Sequence, residues 1–117
     1  VLLVVSAGLG ALHDAGAAAL ALAHRQLRPA ALVIGDWPSE PDLAVRCNLD
    51  DLPGYAGAPL GGVLAGGAGR LSPAAFGQLA VRSLTPALGG EFDAADFVAR
   101  HRAPRPSATQ PSGEGNR

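Results

Sequence analysis

Apolar positions alternate between two periods along the chain. Residues 1–5, Val-Leu-Leu-Val-Val, are a continuous run of β-branched residues and Leu, the pattern of a strand buried on both faces of a parallel sheet. Gly8 and Gly10 interrupt the run, and Asp14 to Leu27 then reads as an Ala-rich helix. Arg25 and Arg28 fall at its C-terminal end, where cations suit the helix dipole, and Pro29 closes it. Ala31-Leu-Val-Ile34 predicts a second buried strand, so that strand, helix and strand form a right-handed βαβ unit. Trp37-Pro38 opens a turn, and Ser39, Glu40, Pro41 and Asp42 suit a first helical turn. The helix that follows is expected to run to about Asp51 and to stop at Pro53-Gly54.

A third strand is predicted over Pro59 to Leu64, although its Gly61-Gly62 pair weakens the pattern. Beyond the Gly-rich stretch Ala65 to Arg70, Ser72-Pro73 supplies an N-cap and a first helical position. Phe76, Leu79, Ala80 and Leu84 mark one helical face as far as Pro86, and Gly89-Gly90 is a break. Asp93 caps a last short helix, with Phe92 and Phe97 spaced as a hydrophobic staple. From Arg102 the apolar period ends and Pro, Ser, Thr, Gln, Gly and Asn take over, predicting a disordered tail over 102–117 after an α/β domain over 1–101. The expected fold is three parallel strands with flanking helices, part of a doubly wound sheet.

Composition narrows the possibilities. With 117 residues the chain is one domain or less, and its net charge of −1 argues against a dedicated nucleic-acid partner. All nine basic residues are Arg, which excludes a Schiff-base lysine or a complete phosphate-binding P-loop on these residues. Cys47 is the single cysteine, so no internal disulfide can form, and no metal-ligand spacing surrounds it. The 24 Ala and 16 Gly, against five aromatic residues, leave little area to bury. No Met is present, and Val1 opens straight into an apolar run without a basic flank, so a truncated reading frame or a non-standard start is expected rather than a signal peptide. His13 and Asp14 at the centre of the Val1 to Ala23 run argue against a membrane span, because Asp there costs about 2.5–3.5 kcal/mol.

In an open α/β sheet, ligands collect at the C-terminal ends of the strands. Three segments should meet there: Ser6 to His13, Gly35 to Pro38, and Ala65 to Gly69. In the first, Gly8 and Gly10 precede a helix start whose free N–H groups suit an anion without help from a lysine. The same glycines equally suit a plain strand-to-helix turn. As a dinucleotide fingerprint the stretch is incomplete, since His13 stands where a third glycine is needed. Asp36 could receive a ribose hydroxyl, but it follows Gly10 by 26 residues, later than usual, and a turn role is the alternative. His13 reads as a substrate contact or a solvent-facing histidine, and Trp37 as the wall of a base site or a core anchor. Adjacent Asp50 and Asp51 would point about 100° apart on a helix, which is no acid–base pair. No catalytic nucleophile and no metal-binding set is evident.

The order of these motifs resembles a family. Leu2-Leu-Val-Val-Ser-Ala-Gly-Leu-Gly-Ala-Leu-His13, Leu32-Val-Ile-Gly-Asp-Trp-Pro38 and Pro59-Leu-Gly-Gly-Val-Leu-Ala-Gly-Gly-Ala68 resemble the C-terminal half of dethiobiotin synthetase, as does the stretch from Trp37 to Pro53. The likeness covers roughly residues 1–100. It implies a P-loop NTPase-like fold with its N-terminal half missing here, a cytoplasmic homodimer, and an ATP- and Mg²⁺-dependent ligase of biotin biosynthesis. Such enzymes join CO2 to 7,8-diaminononanoate, activate the carbamate with the γ-phosphate and close a cyclic urea. By resemblance, Gly10, Ala11, Leu12 and His13 match the turn that grips the substrate carboxylate, with Gly10 and Ala11 donating backbone N–H groups. Gly35 and Asp36 match the pair beside the nucleotide base, and Ala65, Gly66 and Gly67 the loop on its other side. His13 stands where family members usually carry Asn, and Ala65 where they often carry Pro. The P-loop, a second lysine, the Mg²⁺-binding acids and a Glu-Gly-rich phosphate segment are expected upstream of Val1, so the chain alone is expected to be inactive. A Rossmann-type fragment favouring NAD through Asp36, and a non-catalytic α/β interaction module, are the competing readings.

Overall fold

The computed structural model describes residues 1–104; beyond Pro104 the expected tail lies outside the described residues. Strands β1 (Leu2–Val5), β2 (Ala31–Trp37) and β3 (Leu60–Ala65) alternate with helices α1 (Ala11–His24) and α2 (Leu43–Ala56), followed by α3 (Pro73–Ser83) and α4 (Ala94–His101). The strands form one sheet in the order β1-β2-β3, parallel throughout, with Leu3 beside Leu32 and Ile34 beside Val63. The expected α/β architecture of three parallel strands with flanking helices is therefore present. All three strands end on one edge, the place where ligands collect in sheets of this kind.

The core lies between the sheet and the packed pair α1 and α2. Leu32 and Ile34 of β2 and Leu49 and Leu52 of α2 are fully buried, with Ala11 and Ala15 of α1 among them. Small residues on α1 permit a close helix–helix approach: a Cβ on Gly16 would lie 3.7 Å from the Tyr55 ring. The caps follow local chemistry. Val45 N–H donates to Asp42 Oδ1 at 2.9 Å, Ala75 N–H to Ser72 Oγ at 3.2 Å, and Asp96 N–H to Asp93 Oδ1 at 3.0 Å. The Phe92 and Phe97 ring centroids are 5.4 Å apart, closing the predicted staple.

Several expectations need correction. β1 is not buried on both faces: Leu3 and Val5 pack against the core, but Leu2 and Val4 are 47% and 63% exposed. The described residues leave that face of β1 open, and β1 is also an edge strand of the sheet. α1 starts at Ala11 rather than Asp14, since Gly10 takes a left-handed φ of 89° just before it. It also ends earlier than Leu27, where the Gln26 and Leu27 amides turn back on the Ala23 and Leu22 carbonyls. Pro53 does not stop α2. The proline forfeits one internal bond, but Leu52 and Ala56 are buried against the core, and the helix closes at Gly57, with φ 66°.

The Gly61-Gly62 pair is what allows β3 to form in its place. A Cβ on Gly61 would lie 2.6 Å from Ala31 Cβ, and one on Gly62 2.6 Å from the Ser83 carbonyl oxygen. The chain leaving α3 lies against β3 at that point, with Thr85 N–H donating to the Gly61 oxygen at 2.9 Å. Among the described residues no helix is long and apolar enough to cross a membrane.

Candidate functional site

The turn after β1 is built from main chain and held by one buried side chain. Asn48, on the apolar stripe of α2 formed by Val45, Leu49, Leu52 and Ala56, is only 9% exposed. Its Nδ2 donates to the Ala7 oxygen at 2.9 Å and the Gly8 oxygen at 3.0 Å. The expected donors are redistributed. Ala11 N–H is already given to the Gly8 oxygen at 3.1 Å, and Ala11 is fully buried, so this amide faces into the turn rather than toward a ligand. The N–H groups of Gly10, Leu12 and His13 meet no acceptor among the described residues. The side chains of His13 and Asp14 are exposed on the first turn of α1, and the Asp14 carboxylate opposes any anion that approaches.

At the ends of β2 and β3 the backbones are joined directly, Gly66 N–H donating to the Trp37 oxygen at 2.8 Å. A Cβ on Gly66 would stand 2.9 Å from Asp36 Oδ1, so the carboxylate of Asp36 rests over the bare backbone of Gly66. Beside this joint is a cavity of about 450 Å³ lined by Trp37, Pro38, Ser39, Pro41, Ala65, Gly66, Phe97 and His101. The rings form an aromatic wall: Trp37 meets Phe97 edge-on at 5.1 Å and His101 at 5.8 Å, and the Phe97 and His101 centroids are 4.3 Å apart. Among the described residues no carboxylate, guanidinium or ammonium lines the cavity. Such a hollow suits a flat uncharged ring better than a phosphate.

Of the residues read as base-side contacts, Ala65 and Gly66 line this cavity. Gly67, with φ 82°, lies instead on a small apolar hollow with Ala68, Leu71 and Leu79. Gly35 faces β1, where a Cβ would lie 3.2 Å from Val4 Cγ1, and Asp36 borders the joint without lining the cavity. The turn carrying Gly10 to His13 shares the sheet edge but contributes no residue to the cavity. Phe97 and His101, which α4 brings in, were not marked by the sequence as site residues; the one available signal was an aromatic and a histidine at i and i+4 on a short helix.

α4 is anchored from below. Arg46 of α2 donates through Nε to the His101 oxygen and through its terminal nitrogen to the Arg102 oxygen, both at 3.0 Å, capping the helix end. Arg102 pairs with Asp50 at 3.3 Å. Burial, then Arg100 and Arg46 close by, push the His101 imidazole below its ordinary range, with Asp96 opposing them. Among the described residues no three His, Cys, Asp or Glu side chains come together as a metal site.

No protein-family model matches the chain. It is similar to proteins named ATP-dependent dethiobiotin synthetase BioD. It is 55% identical over 101 residues to the one from Frankia casuarinae and 54% over 101 residues to the one from Streptomyces coelicolor, in each case 86% of this chain and 42% of the relative. Against the one from Saccharopolyspora erythraea it is 55% identical over 92 residues, 79% of this chain and 41% of the relative. The chain thus spans about two fifths of the length of these relatives, and the likeness read from its three glycine-bearing motifs extends over most of the chain.

Proposed function

We propose that the chain is part of an ATP-dependent dethiobiotin synthetase and forms the base-side wall of its nucleotide site together with a carboxylate-binding turn. The observation that carries this reading is the 55% identity over 101 residues to a protein of that name. The geometry supports it in two ways. An uncharged, aromatic-walled cavity stands at the ends of β2 and β3, suited to a nucleobase. Free amides stand at the end of β1, suited to the carboxylate of 7,8-diaminononanoate.

In this reading ATP enters with its base against Trp37, Ser39, Ala65 and Gly66, while Asp36 borders the site. Leu12, His13 and Gly10 offer the substrate carboxylate their N–H groups, a duty that Ala11 leaves to them. Gly35 and Gly67 act by letting backbones approach. Mg²⁺ does not fit the described residues, which hold no cluster of carboxylates, and none of their side chains is assigned to it. Phosphoryl transfer to the carbamate formed from CO2, the homodimer and a cytoplasmic setting belong to the proposal through the likeness alone. A partial P-loop NTPase-like sheet is the fold that this reading assigns.

A chimera tests the proposal. This chain replaces the matching 101 residues of the Frankia casuarinae relative, and dethiobiotin formation is measured. Activity close to that of the unaltered relative is expected. A folded chimera that binds ATP but makes no dethiobiotin would sink the reading, whereas the 117-residue chain alone is expected to make none.

A further inference from the structure

Among the described residues, the side chains with polar atoms that line the aromatic-walled cavity are Ser39, His101 and, through its indole N–H, Trp37. The backbone of His101 is fixed at the end of α4 by the Arg46 bond at 3.0 Å. Its ring is packed 4.3 Å from Phe97 and 5.8 Å from Trp37. Yet neither ring nitrogen makes a hydrogen bond among the described residues. A positioned imidazole, the one titratable side chain among the described residues on the wall of this cavity, has a hydrogen bond to give to whatever fills it.

We propose that His101 is a specificity-determining contact of this site, its imidazole hydrogen-bonding the polar edge of a heteroaromatic base seated against Trp37 and Phe97. The inference rests on the nucleotide reading above and adds a residue from α4 to it. The surroundings of His101 agree with a neutral ring: burial first, then Arg100 and Arg46, disfavour its protonation, and Asp96 opposes them. A neutral imidazole offers one donor and one acceptor, as the edge of a purine or an aminopyrimidine requires, whereas an imidazolium offers only donors. Among the described residues no cationic side chain lines the cavity, so the contact proposed is to the base and not to the phosphates.

Trp37 is the single tryptophan, and it lines the cavity, so its fluorescence reports occupancy. The chain is titrated with ATP, adenosine and inorganic tripolyphosphate. ATP and adenosine are expected to change the emission. H101F, which keeps the ring packing, is expected to weaken both about fivefold and leave tripolyphosphate unaltered, and H101Q to recover most of the loss. ATP and adenosine binding to H101F within twofold of the parent overturns the role of His101 while leaving the nucleotide site standing. A parent chain whose Trp37 ignores ATP and adenosine overturns this inference, while the nucleotide reading is decided separately by ATP binding to the chimera. Should H101F fail to fold, the ¹⁵N resonances of the His101 imidazole in the parent decide: a shift of one ring nitrogen on adding adenosine supports the contact, and none overturns it.

Discussion

Replacing Asn48 by Ala is expected to destabilise the chain by about 2–3 kcal/mol, although the residue touches no ligand. Its amide is the only hydrogen-bond partner of the buried Ala7 carbonyl among the described residues, at 2.9 Å, while the Gly8 carbonyl keeps the Ala11 N–H when the Asn48 bond of 3.0 Å is lost. One buried acceptor is thus orphaned, at about 1–3 kcal/mol, and one further bond worth about 1 kcal/mol disappears. For a domain near 100 residues each kcal/mol lowers Tm by about 4–8 °C, so a fall of roughly 10–20 °C should be seen by circular dichroism. Asn48→Asp is the sharper variant. At neutral pH it sets a carboxylate against two carbonyl oxygens and should be worse than Ala; in acid, protonation restores one donor and the order should reverse. A fall below about 0.5 kcal/mol in Asn48→Ala, or an Asp variant as stable as the parent at pH 7, would refute this role for the Asn48 amide.

Three further outcomes follow from the same geometry. Gly62→Ala drives a Cβ to 2.6 Å from the Ser83 oxygen and 2.8 Å from Leu84 Cδ2, and should cost about 1–3 kcal/mol in chemical denaturation; Gly66→Ala meets chiefly the exposed Asp36 carboxylate at 2.9 Å, which can swing away, and should cost less than about 1 kcal/mol. Gly10→Ala meets no neighbour, but at φ 89° it should lose about 1–2 kcal/mol in the same assay, and a neutral effect would contradict the left-handed start of α1. The lowered pKa of His101 makes the unfolded chain bind more protons than the folded one once the pH falls below the ordinary histidine range. Stability should therefore be full above pH 6.5 and decline as the pH drops toward the folded value, with a shallower decline in His101→Gln; an identical pH profile in the variant would count against it.

What the sequence reveals is local and what it hides is not. The β-branched runs, the caps at Ser72 and Asp93 and the Phe92–Phe97 staple depend on residues within four or five positions of one another, and they are legible. The exposure of Leu2 and Val4 is not, because it depends on which elements distant in the chain pack on each face of the sheet. Pro53 misleads for a related reason: the burial of Leu52 and Ala56 outweighs the local signal to stop. In the candidate site, Gly66 is readable as a close-approach glycine. The cavity wall from α4 is not, since His101 reaches Trp37 across 64 positions of chain. Asn48 offered a clue in retrospect, a polar residue on an otherwise apolar helical stripe.

Arg46 and Asn48 stand two positions apart on α2, about 200° around its axis. One grips the end of α4 and the other the turn after β1. That interval tolerates no change in length: a single residue inserted between them turns one relative to the other by about 100° and detaches either the aromatic wall or the glycine turn. Relatives that keep both grips must therefore keep this register, and an insertion or deletion in α2 at Cys47 would abolish one of them whatever residue is added or removed.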